Sequence, residues 1–168
     1  MLLYHGSNLD IQNINLAMCR PYKDFGTGYY LTDLQTQAEN MAKRVARIHG
    51  GKPIVNVYEI TDLFLDLPNL KIKNFGRYVS PEWAIFVMNN RSRTFTNHQD
   101  PACNLDNKYD IVAGPVADDS MAMLFRQFQN ELIDFDMLTK GMTYKELTSQ
   151  YSFHTQKALQ LLRKVGVL

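Results

Sequence analysis

The sequence predicts a single α+β domain, and three observations carry that expectation. Segments of strand character and segments of helix character are interleaved without the strict alternation that a doubly wound parallel sheet requires. A chain of 168 residues buries a substantial core but leaves no room for a second full domain. No internal repeat or low-complexity tract interrupts it. One domain over residues 1–168 is the expectation.

The first strand is "LLYHGS", Leu2 to Ser7, which ends by delivering an imidazole, His5, to a glycine. A strand that stops for packing reasons usually ends in turn formers without a titratable side chain at its tip. The next stretch, to Arg20 and Pro21, has no clean period and reads as a short helical turn and a loop. "DFGTGYYLTD" then enters a second strand through a glycine turn, its strand character carried by Tyr29, Tyr30, Leu31 and Thr32. Asp33 is placed to cap the helix that follows. From Leu34 to His49 the residues Leu34, Ala38, Met41, Ala42, Val45 and Ile48 recur at spacings of three and four, an amphipathic stripe ended by Gly50 and Gly51. "PIVNVYEIT" alternates as a strand, and "LFLDLP" extends the sheet or turns out of it. Ser80 and Pro81 start a helix, with proline at the first helical position. Residues 91–108 read as loop. "YDIVAGPVADD" is a buried strand expected to break at Gly114 and Pro115. Two helices follow, "SMAMLFRQFQNEL" and "DFDMLTKG", then a strand, "SQYSFHT", and a last helix, "QKALQLLRKV", capped by Thr155.

Composition narrows the partners. Eighteen Lys and Arg against 17 Asp and Glu leave a net charge of +1, so the overall balance announces neither a polyanion nor an anionic membrane. Cys19 and Cys103 form no CxxC pair and suit a reducing compartment, which makes the cytoplasm the expected location. No apolar run approaches the roughly 20 residues of a membrane span, and no signal-peptide pattern is visible at the N-terminus. His98 and Cys103 lack a second ligand pair at finger-like spacing and read as loop residues, so no metal site is expected. Lys43, Arg44 and Arg47 read as the solvated face of their helix.

Three pieces stand together: "YHGS", the glycine turn into "GYYLT", and "SQYSFHT". In this order they resemble the ADP-ribosyltransferase superfamily, in particular its His-Tyr-Glu branch, typified by poly(ADP-ribose) polymerases and diphtheria toxin, and a branch of small bacterial proteins. The resemblance implies a split core of two small, mainly antiparallel sheets with flanking helices, NAD held in a cleft, and transfer of ADP-ribose after cleavage of the nicotinamide glycosidic bond. His5, Tyr30 and Gln150 take the catalytic positions. His5 would hold the adenosine ribose, the Gly6 backbone the nicotinamide carboxamide, and Tyr30 the nicotinamide ring, with Tyr29 either a second aromatic wall or a core residue. Ser7 would orient the nicotinamide side, Arg20 would meet adenosine or phosphate, and Gly28 would join the cofactor-binding residues from the turn that it forms with Gly26 before Tyr30. No metal is required.

At the third position the chain departs from the pattern. Gln150 stands where the polymerases carry glutamate, keeping hydrogen-bonding reach but not charge. Asp118 either caps the following helix or supplies that carboxylate, as in the branches that use a His-Tyr-Asp set, and His154 shares a strand face with Gln150. The acceptor is open between a protein, a nucleic acid and a small molecule. The resemblance also implies a toxin controlled by a small antitoxin protein. A catalytically degenerate module that binds NAD or an ADP-ribose-like ligand is the rival reading, and NAD hydrolysis a third.

Overall fold

The structure, a computed structural model, describes residues 1–142 and 148–168. It is an α+β domain with two sheets. The strands are β1 (Leu2–Ser7), β2 (Tyr29–Leu31), β3 (Ile54–Glu59), β4 (Ile72–Asn74), β5 (Ile111–Pro115), β6 (Ser149–Phe153) and β7 (Arg163–Val167). The helices are α1 (Gln35–His49), α2 (Pro81–Arg91), α3 (Asp119–Gln129), α4 (Phe135–Met142) and α5 (Gln156–Leu159). One sheet has the order β1-β3-β7, the other β2-β6-β5-β4, and every pairing is antiparallel except β4 with β5.

The apolar periods explain the layers. Leu3 and Tyr58 from the first sheet, with Ile60 just after β3, meet Tyr29, Leu31, Ile111 and Phe153 from the second in one core between the sheets. The other face of the four-stranded sheet, including Val112, is covered by Trp83, Phe86 and Val87 of α2, Met121 and Phe125 of α3 and Leu138 of α4. Ser80 caps α2 by accepting a hydrogen bond from the Trp83 amide, with Pro81 at the first helical position as the sequence predicts. The loop at residues 92–108, the two helices after β5 and the Thr155 cap also stand where expected.

α1 packs on β1 and β3 through Ala38, Ala42 and Val55. The expected helix is present, but its stripe is only partly buried: Leu34, Met41 and Ile48 are exposed. The cause lies in β1. A methyl group at Gly6 would sit 2.6 Å from the Ala42 nitrogen and closer still to the Ala38 carbonyl, so α1 rides directly on the strand, where only small side chains fit. The larger residues of the stripe are turned to its flanks.

Three further expectations are corrected and one open alternative is decided. Asp33 does not cap α1. Thr32 Oγ1 accepts from the Leu34 amide, while the Asp33 carboxylate accepts from the Tyr151 hydroxyl. β5 runs through Gly114 to Pro115 without breaking, since at the strand's end the missing proline N–H costs nothing and the carbonyl is used by Trp83 Nε1 at 3.1 Å. Of the two readings open for "LFLDLP", the turn out of the sheet is the one observed, a 3-10 turn over Phe64–Asp66, and the next strand, β4, joins the four-stranded sheet. The last helix is four residues long, after which the chain becomes β7 and covers the edge β3 would otherwise expose, with Arg163 paired to Glu59 and Lys164 to Asp10. No helix among the described residues is long and apolar enough to cross a membrane.

Candidate functional site

Among the described residues, one backbone pair hydrogen-bonds the two sheets to each other. Tyr4 and Thr32 exchange both hydrogen bonds, at 2.8 and 3.0 Å, and the contact between β1 and β2 is an isolated bridge that does not extend into a ladder. Backbone groups alternate along an antiparallel strand, so Leu3, His5 and Ser7 direct theirs to β3, while Tyr4 and Gly6 direct theirs to β2. The next pair in register would be Gly6 with Tyr30. It does not form, and the Tyr30 carbonyl instead accepts from His5 Nδ1 at 2.8 Å. The result is a parting of the strands, with the Gly6 amide and carbonyl facing it and α1 sealing the glycine from the side.

His5 is held by two neighbours. Its ring stacks on Tyr29 at 4.3 Å and 27°. A carbonyl only accepts, so Nδ1 carries the proton toward Tyr30. Burial lowers the imidazole pKa, more strongly than the backbone hydrogen bond raises it. A neutral ring with its proton on Nδ1 leaves Nε2 as an acceptor.

Tyr30 is fixed at its far end. Its hydroxyl donates to the Gly26 carbonyl at 2.7 Å and accepts from the Phe25 amide at 3.0 Å, closing the glycine turn on itself. Gly26 has φ +88°, open to glycine and rarely to other residues. Burial raises the phenol pKa well above its ordinary value, with the negative charge of Asp24 adding to the effect, so the hydroxyl stays protonated. Tyr30 pairs with Ser152, which places both, with Gln150 two residues earlier, on the same face of the four-stranded sheet.

Gln150 is the end of a buried polar chain. Its Nε2 donates to Asp24 Oδ2 at 2.7 Å and to the Pro115 carbonyl at 3.2 Å. Asp24 Oδ2 also accepts from the Ala117 amide at 2.9 Å, and Oδ1 accepts from Arg91 Nε at 2.7 Å, while Arg91 donates on to the Ala117 carbonyl. A carboxylate with only 6 % exposure is tolerated because every contact supplies a proton.

The structure thus brings His5, Gly6 and Tyr30 around one opening in the backbone and puts Gln150 on the sheet face that Tyr30 shares. Other sequence-derived candidates fall elsewhere. Tyr29 is buried behind His5, its hydroxyl 3.0 Å from that of Tyr58, and belongs to the core. Gly28 is a packing glycine, where a methyl group would lie 2.6 Å from His154 Nδ1. Ser7 Oγ accepts from the Leu9 amide in a local turn. Arg20 is exposed and meets His49 at the C-terminal end of α1, 2.9 Å away. Asp118 caps α3 through the Met121 amide, and Asp24, not Asp118, is the carboxylate that meets Gln150.

His154 follows β6 and is buried, Nδ1 on the Thr27 carbonyl and Nε2 on Ser152, both at 2.8 Å. Desolvation lowers its pKa to about 4. His98 and Cys103 are loop residues, the Cys103 thiol turned onto the Asn97, His98 and Asp100 carbonyls. Lys43, Arg44 and Arg47 are exposed on α1. Asp24 and Arg91 escape a reading of the sequence, being 67 positions apart and joined only by the fold. The one local signal is an acidic residue just before a glycine turn.

No curated protein and no solved structure matches the chain. The family described as protein of unknown function (DUF3990) matches residues 1–163, from β1 to the first residue of β7, and with nearly the whole chain inside the match this protein belongs to that family.

Proposed function

We propose that the chain is an NAD-dependent mono-ADP-ribosyltransferase. The observation that carries this reading is the parting of β1 and β2 after Tyr4 and Thr32. It leaves the Gly6 amide and carbonyl, a donor and an acceptor one residue wide, facing Tyr30, and the carboxamide of nicotinamide is their complement. His5 Nε2, an acceptor in the neutral ring, suits a ribose hydroxyl, and the Tyr30 ring offers a face for nicotinamide. Arg20 at the end of α1 suits the adenosine or phosphate side.

In this reading nicotinamide leaves through an oxocarbenium-like transition state and ADP-ribose passes to an acceptor. The chain contributes by positioning: Gly6 and Tyr30 hold the leaving group, His5 holds the far ribose, and Gln150 meets a hydroxyl of the reacting ribose. The protein acts in the cytoplasm, as a toxin restrained by a small protein partner, on an acceptor that is a protein, a nucleic acid or a small molecule.

The neutral amide at position 150 favours one rival, a module that binds NAD without chemistry. Incubation of the pure protein with NAD and measurement of free nicotinamide separates the two. Release of nicotinamide above the buffer rate, lost in His5→Ala and Tyr30→Ala, is the expected result; binding without release makes the protein a binder, and neither sinks both readings. Labelled NAD in a lysate then separates transfer from hydrolysis.

A further inference from the structure

The Asp24–Gln150 contact decides what position 150 can offer a ligand. Both groups within reach of the Gln150 amide nitrogen, a carboxylate oxygen and a carbonyl oxygen, accept hydrogen bonds and donate none. The side-chain amide therefore has one allowed orientation, NH2 inward and oxygen outward. The inward half is well held: Asp24 is itself fixed by Arg91 and the Ala117 amide, and Gln150 is only 8 % exposed. Among the described residues no donor reaches Gln150 Oε1.

We propose that Asp24 is a positioning residue that locks the Gln150 side-chain amide with its oxygen toward the ligand, so that position 150 serves as a neutral hydrogen-bond acceptor for a ligand hydroxyl. The second half rests on the function proposed above; the first does not. The negative charge of the site has its place one hydrogen bond behind the acceptor, on Asp24, and it cannot be doubled. A glutamate at 150 would set a second carboxylate against Asp24 Oδ2 and the Pro115 carbonyl, with no proton between them. Protonated, the same side chain restores the arrangement, its O–H donating inward as the amide does and its C=O turned outward. The charged groups facing the position are Asp24, from the β1–β2 connection, and Arg91, from α2. β5 supplies only the Pro115 carbonyl, β2 the protonated Tyr30 phenol, and the Asp118 carboxylate is turned to the α3 cap.

The test follows Gln150→Glu, Asp24→Asn/Gln150→Glu and Gln150→Met, each against wild type, over about pH 5 to 9. Two readouts are used: urea stability without ligand, and nicotinamide release from NAD. The introduced carboxyl is held neutral in the fold and ionises freely when unfolded. Gln150→Glu therefore becomes less stable than wild type as pH rises through the carboxylate range and recovers as pH falls. Its nicotinamide release is reduced roughly tenfold or more at neutral pH and returns over the same acid limb, which wild type lacks. Removing the charge at 24 moves the limb down by about a pH unit or more in the double variant. Gln150→Met, which keeps volume but no acceptor, releases nicotinamide at no pH. A Gln150→Glu stability profile parallel to wild type, or a limb unmoved in the double variant, overturns the Asp24 assignment. Wild-type release by Gln150→Met overturns the acceptor role. If wild type itself neither binds NAD nor releases nicotinamide, the proposed function fails, while the stability profiles still decide the Asp24 contact.

Discussion

His5 lies within β1 and His154 directly follows β6, and each binds a backbone carbonyl through Nδ1 at 2.8 Å, Tyr30 for one and Thr27 for the other. Burial lowers the pKa of both, so both are neutral. They part company at the second nitrogen. His154 Nε2 is engaged by Ser152 inside a packed region, whereas among the described residues no partner reaches His5 Nε2, which stands where β1 and β2 part. The Nδ1–carbonyl bond and the neutral state are the same for a histidine that ties the structure together and for one free to serve a ligand. The unspent nitrogen distinguishes them.

The largest expected effect comes from Gly6, where β1 lies against α1. Gly6→Ala drives a methyl group into the backbone of α1, which cannot yield as a flexible side chain would, and the variant is expected to lose more than about 3 kcal/mol or fail to fold, as read by urea denaturation. A variant as stable as wild type would mean that α1 does not ride on β1 as described.

The next test sharpens the contrast through pH. Because His154 titrates near 4 in the fold and near 6.5 when unfolded, the unfolded chain binds the extra proton first as pH falls. Stability is then fully present above about pH 6.5 and is lost on acidification toward pH 4, by up to about 3 kcal/mol from this residue. The lowered pKa of His5 works in the same direction. His154→Gln should flatten most of this dependence, and a slope unchanged by the substitution would remove His154 as its source.

Truncation of each histidine should then give opposite signatures. His154→Ala strands buried partners and is expected to cost about 2 kcal/mol of stability or more. His5→Ala costs about 1 kcal/mol, chiefly the contact with the Tyr30 carbonyl, but weakens NAD binding roughly tenfold by calorimetry. Equal stability losses with no change in NAD affinity would make the two histidines alike and break the comparison. The smallest effect belongs to Arg20→Ala: an exposed side chain whose removal leaves stability within about 0.5 kcal/mol and weakens NAD binding a few-fold.

The sequence by itself determined the local elements. β1, β2, β3, α1, α2 and β6 follow from alternation, apolar spacing and the Ser80-Pro81 start, all properties of neighbours in the chain. It also singled out His5, Gly6 and Tyr30, because "YHGS" and "GTGYY" are short and contiguous. Tertiary structure decided what no neighbour records. It made residues 163–167 a strand rather than a helix, since the free edge of β3 needs a partner more than that stretch needs helical hydrogen bonds. It turned half of the α1 stripe outward, because Gly6 lets the helix come too close for large side chains. It moved Tyr29 and Gly28 from candidate ligand contacts to packing positions, and it joined Asp24, Arg91, Ala117 and Gln150 into one hydrogen-bonded group across more than a hundred positions of sequence. A carboxylate is buried only where several donors converge on it, and convergence of distant segments is a property of the fold alone.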